Sequence, residues 1–156
     1  MRSARTILLF LVVSALVLGC AGRTDENKIK TLLTDIQTAG EEKNIKKMMN
    51  HLSKTYSDPQ GFNYDGIHGL LVGYFFRYPK ISVYINNLTV SVEKAQARAV
   101  FQTVLVSGEK TGSITDAIPQ SLGIWNFDVL LKKEPDGWKV VSAKWEQVEM
   151  MKPGES

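Results

Sequence analysis

The chain has 156 residues, of which 44% are hydrophobic and 22% charged, with a formal net charge of +3. Its Lys and Arg are not clustered densely enough for a nucleic-acid surface, and its only cysteine, Cys20, rules out a disulfide framework. A chain of this size fits one domain, held by core packing that buries roughly two-thirds of the unfolded surface. The first twenty residues fall into three zones: a head with Arg2 and Arg5, the apolar run ILLFLVVSALVL from Ile7 to Leu18, and Gly19 before the cysteine. This is the layout of a secretory signal peptide. Crossing about 30 Å of hydrocarbon takes about 20 residues at the helical rise, so the run is too short for a stable spanning helix.

Val17, Leu18 and Gly19 ahead of Cys20 resemble the lipobox of bacterial lipoproteins. The resemblance implies that the thiol carries diacylglycerol, that the chain is cut before Cys20, and that the new amine is acylated too. Each buried methylene contributes about 0.8 kcal/mol and stable attachment takes more than one chain, which a triacylated cysteine supplies. Ala21 stands where enteric-type lipoproteins retained at the inner membrane carry aspartate, so the periplasmic face of the outer membrane is the expected location. The expected organisation is a cleaved signal peptide over 1–19, the lipidated cysteine and tether over 20–24, a domain over 25–150 and a tail over 151–156. Loss of Arg2 and Arg5 lowers the net charge to +1. The tether reaches on the order of 15 Å, which keeps the domain against the headgroups and makes membrane lipid its first partner.

In DENKIKTLLTDIQTAG, Ile29, Leu32, Leu33 and Ile36 recur at helical spacing, with Thr24 or Asp25 as the expected cap and Gly40 as the expected stop. A second helical stretch over 41–52 presents Ile45, Met48, Met49 and Leu52. After the loop SDPQG, a third helix begins at about Asp65 as its N-cap, carries Ile67, Leu70, Leu71, Tyr74, Phe75 and Tyr78, and closes at Pro79.

From Lys80 the period becomes two. Ile81, Val83 and Ile85 are odd, whereas Leu88, Val90 and Val92 are even, so a bulge is predicted at Asn86–Asn87. A second strand, AQARAVFQTVLV, puts Ala97, Ala99, Phe101, Thr103 and Leu105 on one face, and Val100, Val104 and Val106 on the other. The closing hairpin is WNFDVLLKK, the turn Glu134-Pro135-Asp136-Gly137, then WKVVSAKWEQVEM. Trp125, Phe127, Val129 and Leu131 alternate inward. Helices followed by long, bent antiparallel strands define an α+β fold, N-terminal helices packed on a curved, mainly antiparallel sheet.

Residues 25–149 resemble the nuclear transport factor 2-like family. The resemblance rests on KIKTLLTDIQTAGEEKNIKKMMNHLSKTYSD, ending in a short first strand, and on FDVLLKKEPDGWKVVSAKWE. It implies a cone with an apolar pocket between the helices and the concave sheet, and a homodimer through the sheet. The candidate pocket residues are His68, Tyr74, Phe101, Trp125 and Phe127.

The family includes isomerases, cyclases and dehydratases, which need a carboxylate or His base facing donors for an oxyanion. The internal candidates are His51, Tyr56, Asp58, Tyr64, Asp65, His68, Tyr74 and Asp128. Asp128 has outward parity, Asp58 precedes a turn proline, and His51 closes the second helix, where a cation would be favourable. No catalytic residue is assigned. Two separated histidines give no metal spacing, and no cofactor is expected. The expected role is a lipid-anchored, non-catalytic binding or accessory module of the bacterial envelope, taking a small hydrophobic ligand or a protein partner. The alternative is an enzyme of the isomerase, cyclase or dehydratase type. The connection SGEKTGSITDAIPQSLG, over 107–123, is long enough to be a lid or a docking loop.

Overall fold

The computed structural model describes residues 23–113 and 121–149. The expected signal peptide, Cys20, most of the tether, the middle of the 107–123 connection and the 151–156 tail lie outside the described residues.

Residues 23–41 form the first helix, α1. Its inner face buries Ile29, Leu32 and Leu33, with Ile36 partly covered. Thr24 and Asp25 lie inside the helix instead of capping it. The Asp25 carboxylate accepts hydrogen bonds from Lys133 Nζ at 2.9 Å and Trp138 Nε1 at 3.2 Å, which ties the start of α1 to the closing hairpin. Gly40 does not end the helix either. The left-handed residue is Lys43, at φ 54°, and the Asn44 amide donates back to the Ala39 carbonyl at 2.8 Å.

Asn44 caps the next helix, α2 (Ile45–Asn50), its side chain accepting from the Lys47 amide. The expected short first strand is reduced to a parallel bridge between Leu52 and Val140. Ser53 donates to the Val140 carbonyl and Ser57 to the Val141 carbonyl, so this segment borders one edge of the sheet without continuous pairing. The turn that follows is held by Asp58, whose carboxylate accepts from the Phe62 amide at 3.0 Å and the Tyr56 hydroxyl at 2.9 Å.

The third helix, α3 (Tyr64–Arg77), is capped by Asn63, which accepts from the Gly66 amide at 2.8 Å. Asp65 therefore belongs to the first turn, where its charge suits the helix dipole. Tyr78 turns extended before Pro79, as the pyrrolidine ring demands. No residue of α3 is fully buried. Among the described residues, no helix is long and apolar enough to cross a membrane.

Four strands follow, β1 (Ile81–Glu93), β2 (Gln96–Ser107), β3 (Ser121–Glu134) and β4 (Gly137–Gln147), antiparallel in the order β1-β2-β3-β4. The first bulge falls between Asn86 and Thr89, with Asn87 left-handed at φ 53°. Register also shifts between Leu105 and Val106 and between Leu130 and Leu131. Bulges of this kind bend strands and strengthen twist, and the helices pack into the resulting concavity. The main core joins Ile29, Leu32 and Leu33 to Ala97, Ala99, Phe101, Val129, Leu131, Trp138 and Val140. A small second cluster on the convex face contains Val104 and Val106 with Tyr84 and Ile124. The free edge of β1 is partly capped by α1: Gln37 donates to the Val83 carbonyl at 2.7 Å, and Glu41 accepts from the Val83 amide at 3.0 Å.

Candidate functional site

The concave side of the sheet does not close fully against the helices. A cavity of about 380 Å³ lies between them, within the roughly 300–1,000 Å³ span of small-molecule sites. Parity explains its walls. Ile81, Val83 and Ile85 face it from β1 before the Asn87 bulge, after which Leu88, Val90 and Val92 pack against the main core. Phe101, Thr103 and Leu105 face it from β2, and Trp125, Phe127 and Val129 from β3. On β4 the bulge at Val141 switches the inward residues from Val140 to Ala143 and Trp145. Leu33, Ile36, Gln37 and Gly40 of α1 and Ile67, Leu70, Leu71, Tyr74 and Phe75 of α3 form the helical walls.

Aromatic rings form a continuous layer across the sheet wall. Phe101 and Phe127 stack at 5.3 Å, Phe127 and Trp145 lie 6.4 Å apart, and Phe62 sits 5.9 Å beyond Trp145. Among the described residues, none that lines the cavity is Asp, Glu, His, Lys or Arg. Burial, with the neighbouring Tyr78, pushes the Tyr74 hydroxyl up to about 12. Burial and the hydrogen bond to Asp58 likewise raise Tyr56. Both phenols therefore stay neutral at pH 7. Two polar atoms on the sheet wall, Thr103 Oγ1 and Trp125 Nε1, are buried without a hydrogen-bond partner among the described residues.

Of the residues expected to form the pocket, Tyr74, Phe101, Trp125 and Phe127 are brought together on its walls. His68 is not: it is exposed and absent from the lining, because the inward stripe of α3 runs through Ile67, Leu70, Leu71, Tyr74 and Phe75. His51 caps α2 with its backbone, but burial lowers its ring pKa, so the expected cation at the helix end is a neutral imidazole. Asp128 lies on the convex face, paired with Arg98 at 2.7 Å, an arrangement that holds its carboxyl below the usual range. Asp58 and Asp65 are also outside the lining. Among the described residues, no group of three His, Cys, Asp or Glu could hold a metal.

The described start of the 107–123 connection does not reach the cavity. Thr111 donates its amide to the Tyr84 hydroxyl at 2.6 Å, and Lys110 pairs with Glu41 at 3.1 Å, so the segment is strapped to β1 and the small convex cluster. Residues 114–120 lie outside the described residues. Strand parity marks the aromatic wall in the sequence, whereas nothing in it marks the Gln37 and Gly40 side of the cavity.

No family model and no curated protein matches the chain. Solved structures do. An NTF2-like protein of unknown function from Pseudomonas putida superposes with a TM-score of 0.70 at 14% identity, over 86% of this chain and 94% of that one. An NTF2-like protein with a cystatin-like fold from Novosphingobium aromaticivorans gives 0.64 at 15% identity, over 92% and 90%. Bd1075 of Bdellovibrio bacteriovorus gives 0.64 at 14% identity over 78% of this chain, which spans 41% of that longer one. The likeness shows the fold: helices on a curved antiparallel sheet of the nuclear transport factor 2-like, cystatin-like kind.

Proposed function

We propose that this chain is a lipid-anchored, non-catalytic binding or accessory module of the bacterial envelope whose cavity takes a small hydrophobic ligand. The observation that carries this reading is the cavity itself: about 380 Å³, walled by aliphatic and aromatic side chains, with no lining group among the described residues that ionises at neutral pH. Proton-transfer chemistry needs a base and a donor placed against the substrate, and the lining offers neutral phenols instead, so it supports binding over catalysis. The lipobox-like residues ending at Cys20 support attachment to the periplasmic face of the outer membrane, with the domain close to the bilayer that dissolves apolar ligands. A protein partner or a second copy would meet the convex face, where Val100 and Leu130 stand exposed.

Native mass spectrometry of protein extracted from its own membrane tests both halves. The expected result is a chain beginning at a triacylated Cys20 and carrying one apolar small molecule. A mature mass without lipid overturns the anchor. A chain that neither retains nor takes up an apolar molecule overturns the binding role.

A further inference from the structure

The cavity wall contains one polar feature that packing does not account for. Thr103 and Trp125 are directly paired across β2 and β3, and both line the cavity. Thr103 is 5% exposed, and its hydroxyl and the Trp125 indole N–H are both buried with no hydrogen-bond partner among the described residues. Buried polar atoms are ordinarily satisfied, and each exception destabilises the fold. Other polar groups on the same lining follow that rule: the Gln37 amide donates to the Val83 carbonyl and the Tyr56 hydroxyl to Asp58. Gly123 packs directly against the indole: a Cβ there would stand 2.8 Å from Trp125 Nε1, so the glycine is what lets the ring lie where it does. Valine and phenylalanine would fill these positions without stranding a polar atom.

We propose that Thr103 and Trp125 form a polar subsite for one uncharged oxygen of an otherwise hydrophobic ligand, a reading that rests on the cavity being a binding site. The chemistry follows from the groups present. An indole N–H only donates, whereas a threonine hydroxyl donates or accepts, so the atom both can serve is an acceptor oxygen. A carboxylate or phosphate is disfavoured, since no cation among the described residues lines the cavity to pair with it and an unpaired buried charge is costly. The ligand class is therefore a neutral ketone, ester, ether or alcohol with an apolar body. The oxygen docks on the sheet wall, and the body lies over the Phe101–Phe127 stack. Both atoms are covered, so the ligand oxygen reaches them through a local rotation of the two side chains.

A matched pair of probes tests the subsite: 2-acetylnaphthalene, and 2-ethylnaphthalene, which lacks only the carbonyl oxygen. Binding to the full chain is measured by equilibrium dialysis for the native protein, Thr103→Val, Trp125→Phe and the double variant. The native protein should prefer the ketone by about three- to tenfold, the range of one net hydrogen bond. Each single variant should reduce that preference and the double variant abolish it, the preference being the ratio of the two probes' affinities within the same variant. Tyr74→Phe, which removes a phenol hydroxyl from the helical wall and leaves the sheet wall intact, should keep the preference. Thr103→Val should melt no lower than the native protein, since it removes a stranded hydroxyl and keeps the shape. Equal binding of both probes to the native protein, or a preference that survives the double variant, overturns the subsite and leaves the hydrophobic cavity standing. Failure of both probes to bind overturns the cavity reading and the subsite together.

Discussion

Replacing Asp25 with alanine removes the group that fastens the start of α1 to the β3–β4 hairpin. The native carboxylate accepts from Lys133 Nζ at 2.9 Å and 3.2 Å and from Trp138 Nε1 at 3.2 Å. Trp138 is 6% exposed, so losing its acceptor strands a buried N–H at a cost of about 1–3 kcal/mol. Lys133 remains partly in water, and its ion pair adds about 0–1 kcal/mol. Asp25→Ala should therefore cost about 2–3 kcal/mol, roughly 6–15 °C in Tm for a domain of this size. Asp25→Asn keeps an oxygen for the indole and should cost about 1 kcal/mol or less. Acid adds a second check. The hydrogen bond from Lys133, then that from Trp138, hold the Asp25 carboxyl below its usual value of 3.8. A carboxyl lowered in the folded state contributes stability above its unfolded pKa, near 4, and loses it as pH falls through the folded value. The stability gap between native protein and Asp25→Asn should be constant from about pH 7 to 5 and narrow below about pH 4. Thermal unfolding followed by circular dichroism across that range is the assay. An Asp25→Ala protein that melts with the native one, or a gap that widens in acid, would refute the reasoning.

Substitutions at three further positions probe other parts of the frame, each read by urea unfolding at unchanged m-value. Asn87→Ala should cost about 1 kcal/mol, because residue 87 is left-handed at φ 53° in the β1 bulge, whereas Asn87→Gly should be neutral or better. Leu131→Ala should cost about 3–4 kcal/mol, since Leu131 is 1% exposed in the main core. Tyr56→Phe should cost about 1–3 kcal/mol by leaving the buried Asp58 carboxylate without its phenolic donor.

Strand periodicity carried most of what the sequence revealed. The parity switch between Ile85 and Leu88 located the β1 bulge, because a strand buried on one face cannot change parity otherwise. The same alternation placed Phe101, Trp125 and Phe127 on one wall. Helical spacing was less decisive: His68 lies next to Ile67 in sequence, and only the packing of α3 turned it outward. The caps shifted by a few residues, from Asp65 to Asn63 and from Gly40 to Lys43, because several neighbouring residues have cap chemistry and tertiary contacts choose among them. The first strand shrank to one bridge, Leu52–Val140, because Ser53 and Ser57 make single hydrogen bonds to β4 at Val140 and Val141 without continuous pairing. The Thr103–Trp125 feature was invisible in the sequence for a different reason. Parity aims both residues inward, but whether a buried hydroxyl and indole find partners depends on three-dimensional neighbours.

The three tryptophans offer an internal control for the central claim that the cavity binds a hydrophobic ligand. Trp125 and Trp145 line it, whereas Trp138 is bound to Asp25 outside it. The decisive measurement is a titration of the full chain with 2-acetylnaphthalene, following the three indole N–H resonances by heteronuclear NMR. The account predicts saturable shifts at Trp125 and Trp145 with Trp138 unmoved. Three unmoved signals, or Trp138 shifting together with the others, would contradict it.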